Sequence, residues 1–157
     1  MSRRQYLNLG VGELVAAATF AVVAALSIAP RLDERASAAL WAALVPLLVI
    51  LLQAGVYWLS ARRWVAVAPM PAAIAAVYRA FRLADPVLLA AGAIGLAWFW
   101  PSSPAAGLLA VGVWAFGVVE YLNYFVVRLA YPARQWFALV RQRRTPRLIR
   151  DLRSASR

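Results

Sequence analysis

Two of the six carboxylates in this 157-residue chain fall inside long apolar stretches. Glu13 lies in the run from Leu9 to Ala29, and Glu120 in the run from Pro104 to Phe125. An ionisable group at membrane depth is costly and calls for a partner or a purpose. Gln53 and Tyr57 sit in a third such run, and Asn123 and Tyr124 follow Glu120, with Arg128 beyond them. Together these residues could bind a lipid headgroup or polar metabolite, or pass a proton or cation. They could also simply hold helices together by hydrogen bonds. Catalysis is not expected. The chain has no Cys and no His, which removes thiol chemistry, disulfides and the commonest general base and metal ligand. It has no zinc motif, phosphate loop or nucleophile elbow, and the sequence points to no metal and no cofactor.

The elements that must position these groups follow from composition. Hydrophobic residues make up 64% of the chain and charged residues 15%. Soluble domains average roughly 45–50% and about 25%. Mean hydropathy is +0.70. The fold class expected is all-α, a polytopic membrane protein with a four-helix transmembrane bundle. A span needs about 20 apolar residues. The spans predicted are 9–29, 38–60, 86–100 and 104–125, within a transmembrane domain covering 1–131. Ser27-Ile28-Ala29 looks like a signal-peptide cleavage site, but the apolar run is too long, so the first span reads as a retained anchor.

Orientation follows from arginine, which supplies all 17 basic residues. Arg3 and Arg4 precede the first span, and Arg62, Arg63, Arg79 and Arg82 lie between the second and third. Nine more follow from Arg128 onward, whereas only Arg31 and Arg35 fall on the other side. The positive-inside rule then places both termini on the cytoplasmic side. Trp41, Trp98, Phe99 and Trp100 fall at the outer interface, and Tyr57, Trp58, Trp64 and Trp136 at the inner one.

Two further helices are expected on the cytoplasmic side. Ile74, Val77, Tyr78 and Phe81 repeat at helical spacing over 71–84, which reads as an interfacial helix ended by Asp85-Pro86. The tail 132–157 is basic and amphipathic. Leu148, Ile149 and Leu152 form its apolar side, and Arg134, Arg141, Arg143, Arg144, Arg147, Arg150 and Arg153 suit anionic lipid or a protein partner. Nucleic acid is not expected, because no aromatic-basic recognition motif accompanies the charge.

Alternating chain direction brings Glu13, Gln53, Tyr57, Glu120, Asn123 and Tyr124 to similar depth on the first, second and fourth spans. The third span supplies no comparable residue. Glu120, Asn123, Tyr124, Val127 and Tyr131 share one helical stripe. Arg128 is two turns from Glu120, roughly 12 Å along the axis. Ala17, Ala21 and Ala25 continue the line from Glu13 as a small-residue packing face. Pro46 is expected to kink the second span beside Gln53. Transport finds little support in the outer half, where Thr19 and Ser27 are the only stepping stones on the first span.

The segment Glu120-Tyr121-Leu122-Asn123-Tyr124, continuing to Arg128-Leu129-Ala130-Tyr131, resembles a segment in small uncharacterised bacterial membrane proteins with four helices. The resemblance implies a bacterial cytoplasmic membrane and no particular activity. The function expected is a non-catalytic scaffold or accessory subunit working through a basic cytoplasmic face, with homo-oligomers in keeping with a thin bundle. The alternative is headgroup or metabolite binding, or proton or cation transport, at the seam containing Glu13 and Glu120.

Overall fold

The structure is a computed structural model that describes residues 3–64, 68–127 and 145–155. Arg128, Arg134, Arg141, Arg143, Arg144 and Trp136 lie outside the described residues, as do Tyr131 and most of the predicted tail. All regular structure among the described residues is helical, and four helices are long and apolar enough to span a membrane.

Helix α1 is Arg3–Val23, continued by a π-turn at Ala24–Ile28 and a 3-10 turn at Ala29–Arg31. The wide turn fits the sequence, because Pro30 has no N–H to give the carbonyl four residues back. The Arg31 guanidinium donates to the Ser27 carbonyl. Helix α2, Glu34–Ala61, is capped by Asp33, whose side chain accepts from the Ala36 N–H at 2.8 Å. Helix α4, Pro104–Phe125, starts with Ser103 as cap and proline in the first turn. A short helix α5, Arg147–Ser154, follows.

Helix α3 departs from expectation. It runs unbroken over Ala72–Trp98, so the predicted interfacial helix and third span are one element with Pro86 inside it. Pro86 leaves the Arg82 carbonyl without its helical donor. The Tyr121 hydroxyl of α4 donates to that carbonyl at 3.1 Å, which repairs the loss.

Helix α2 is the centre of the bundle and packs on α1, α3 and α4. More than half of its most apolar stretch is buried, against about a fifth or less for the others. Its own proline, Pro46, frees the Ala42 carbonyl. Gly92 of α3 sits against this spot, where an added Cβ would lie 2.7 Å from the Ala42 oxygen and 2.9 Å from the Pro46 ring. Helix α1 crosses α2 where Gly55 faces Leu14 and the Gly10 backbone. The small-residue face on α1 holds at Ala17, but Ala25 is exposed and Ala24 is buried in its place. Each step of four residues overshoots a helical turn by about 40°, so a ladder of such steps winds off the contact face.

At the end of the bundle carrying Arg3, Arg62 and Arg147, a core cluster joins all four long helices to α5. Tyr6, Tyr57, Tyr78, Tyr124, Leu148, Ile149 and Leu152 belong to it. The apolar side of α5 is therefore spent on the bundle itself, not offered to lipid or to a partner.

Candidate functional site

The polar residues singled out from the sequence separate into two groups on opposite sides of α2. Helical geometry explains the separation. Gln53 and Tyr57 are one turn apart and share a face, whereas Trp58 is turned about 100° from Tyr57.

The first group lies between α1 and α4. The Tyr124 hydroxyl donates to the Glu13 carboxylate, and the Trp58 indole N–H donates to the Tyr124 oxygen at 3.2 Å. Asn123 hydrogen-bonds Glu120, and the two carboxylates are close enough to interact electrostatically. These side chains line a cavity of about 220 Å³. Leu9 and Trp58 supply apolar wall. Pro146, Arg147, Leu148 and Arg150 close it from the side of α5. Among the described residues no arginine forms a salt bridge with Glu13 or Glu120.

The second group lies between α2, α3 and α5, beside an apolar groove of about 400 Å³ lined by Gln53, Tyr78 and Phe81. Gln53 Nε2 donates to Asp85 Oδ1 at 2.9 Å, and the Tyr78 hydroxyl donates to the Gln53 carbonyl at 2.9 Å. Asp85 is only 1% exposed. Its Oδ2 and the Gln53 Oε1 are buried without a partner. Tyr57 donates to Asp151 Oδ2 at 3.0 Å, and Asp151 Oδ1 pairs with Arg147 Nε at 3.0 Å. Asp151 thus uses both oxygens, one to fasten α5 to α2 and one to orient Arg147 at the cavity edge.

Glu13, Glu120, Asn123 and Tyr124 therefore come together as the sequence suggests, while Gln53 and Tyr57 do not join them. The third span does carry a buried acid, Asp85, contrary to expectation. Its signal was available: Ala75, Tyr78, Asp85, Leu89, Gly92 and Leu96 are buried along one helical stripe. Trp58 and Asp151 were missed as partners, Trp58 because it reads as an interfacial aromatic and Asp151 because arginines surround it. Trp98 and Trp100 are exposed.

Beyond the cavity, the seam between α1 and α4 continues as an apolar groove of about 540 Å³. Phe20 and Phe116 meet across it with ring centroids 6.0 Å apart. A separate open cleft of about 570 Å³ is lined by Arg3, Leu59, Arg62 and Arg63.

The fold and the site define a helical bundle with four helices of membrane-spanning length and a small charged cavity near one end. Comparison with protein-family models, curated proteins and solved structures finds no match for this chain.

Proposed function

We propose that the protein is a non-catalytic binding protein of the bacterial inner membrane that holds a positively charged polar group between Glu13 and Glu120. The observation that carries this reading is the cavity itself. Two carboxylates flank the same cavity, and among the described residues no arginine forms a salt bridge with either of them, although Arg147 and Arg150 line its other side. Trp58 adds an aromatic wall of the kind that attracts cations. At ~30 Å³ per water the cavity has room for about seven, so it suits a headgroup-sized group and not a large metabolite. The arginine distribution supports a cytoplasmic location for this end, with both termini inside.

The test is thermal unfolding of the detergent-purified protein with and without ethanolamine. Saturating amine should raise the midpoint in the wild type and leave Glu120→Gln unmoved. Equal shifts in the two proteins would overturn the reading.

A second reading, a scaffold or accessory subunit, draws on the open cleft at Arg3, Arg62 and Arg63. An anionic segment of a partner would suit it. Arg3→Gln combined with Arg62→Gln should then release a co-purifying protein while insertion is retained. Unchanged co-purification would sink this reading.

A further inference from the structure

The cavity is acidic on one wall and basic on another. Glu13 and Glu120 enter from α1 and α4, and Arg147 and Arg150 from α5. The two arginines are three residues apart and share one face of that short helix. They are not equivalent. Arg147 pairs with Asp151 at 3.0 Å, which answers its charge. Arg150 is exposed and, among the described residues, forms no salt bridge. One basic charge therefore remains for a ligand to meet, on the side of the cavity opposite the two carboxylates. A lone amine would use only the acidic wall, and a lone anion only Arg150. A ligand that answers both carries one ammonium and one singly charged anion a short link apart.

Size and wall chemistry narrow that ligand. The cavity of about 220 Å³ holds about seven waters at ~30 Å³ each, and so a molecule of about that many non-hydrogen atoms. A phosphate monoester carries close to two negative charges near neutral pH and would leave one unmatched. A carboxylate brings one, and its two oxygens suit the fork of a guanidinium. Leu9, Trp58 and Leu148 make the rest of the wall apolar, which suits a small hydrocarbon side chain. The cavity shares none of its lining residues with the groove at Phe20 and Phe116, so the two spaces are separate and the ligand needs no long tail. Glu13 stands about 15 Å along α1 from Arg3, whereas α5 packs at the end of the bundle that carries Arg3. The ammonium thus lies inward and the carboxylate toward that end.

We propose that the cavity binds one small zwitterionic amino acid with a short apolar side chain, such as alanine. Its ammonium sits between Glu13 and Glu120, its carboxylate meets Arg150, and its side chain lies against Leu9, Trp58 and Leu148. The assignment rests on the amine-binding reading and names the ligand class that satisfies it.

The test is calorimetric titration of the full chain in nanodiscs with three probes. L-Alanine carries both charges, isopropylamine only the ammonium and propionate only the carboxylate. The wild type should bind alanine about tenfold or more tightly than either other probe, the scale of one hydrogen bond to a charged group. Arg150→Gln should cut alanine affinity about tenfold and leave isopropylamine binding unchanged, which also shows that the variant is folded. Glu120→Gln should weaken both alanine and isopropylamine about tenfold. Tryptophan is too large for the cavity and should not bind. Isopropylamine bound as tightly as alanine, undiminished alanine affinity in Arg150→Gln, or tryptophan bound as well as alanine overturns the amino-acid assignment. In each of those cases, isopropylamine binding that is lost in Glu120→Gln leaves the amine-binding reading standing. Propionate binding without isopropylamine binding, or failure of all three probes, overturns both.

Discussion

The two sides of α2 solve the same physical problem in opposite ways. Each buries carboxyl groups among apolar helices. Between α2 and α3, the buried Asp85 meets the Gln53 amide, Tyr78 adds a bond to the Gln53 backbone, and the neighbouring groove is apolar. Between α1 and α4, Glu13 and Glu120 are hydrogen-bonded by Tyr124 and Asn123 yet still border open space. The backbone accounts for the contrast. Gly92 lets α3 approach α2 until backbone meets proline ring. Helix α1 packs chiefly on α2 and reaches α4 through side chains such as Glu13–Tyr124 and Phe20–Phe116. Asp85 is enclosed and the groove beside its partner is apolar, whereas the cavity bordered by Glu13 and Glu120 is lined by charged groups.

Substitutions on the α2–α3 side that remove a buried partner or add bulk should be the most damaging. Gln53→Leu strands the Asp85 carboxyl without its amide and should cost about 3 kcal/mol or more, read by reversible unfolding in mixed micelles. A loss below about 1 kcal/mol would mean the amide does not hold the Asp85 carboxyl as described. Gly92→Ala pushes a methyl into the Ala42 carbonyl and should cost about 2 kcal/mol. Unchanged stability there would place the α2–α3 approach elsewhere. Tyr57→Phe removes one bond to Asp151 and should cost about 1 kcal/mol, while faster amide exchange in α5 reports its loosening. On the open side, Glu120→Gln should shift stability by less than about 1 kcal/mol, since it keeps size and hydrogen bonding. A larger loss would make Glu120 a structural residue like Asp85. Asp85→Asn should be the mildest of all, or slightly stabilising. Its new N–H can serve the unpartnered Gln53 Oε1 while the remaining oxygen keeps the existing bond. A clear loss of stability would show that the Asp85 carboxyl is itself required.

The long helices were legible because apolar runs and caps are local signals. Asp33 and Ser103 sit where α2 and α4 begin, as capping chemistry demands. The meeting of Glu13 with the Glu120–Tyr124 segment was legible from depth alone, since antiparallel spans bring equal depths together. The continuity of α3 was not. Pro86 ends a helix by local rules, and only the hydroxyl of Tyr121, thirty-five residues away in sequence, removes the penalty. The separation of Gln53 from Glu13 was equally hidden. Depth fixes which residues are level, whereas the direction each faces depends on how α2 is shared among three neighbours.

The docking of α5 also has a consequence for assembly. Tyr6 and Tyr57 come from the first two helices and are almost wholly enclosed, in a cluster that includes Leu148, Ile149 and Leu152. Helix α5 follows all four long helices in chain order, so the part of this cluster that α5 covers is closed only after the rest of the bundle is synthesised. The tightest part of this end of the protein is thus finished last, by a segment that need never cross the bilayer. A chain cut short before α5 would keep its four long helices but leave that face of the cluster open to any quality-control protease able to reach it.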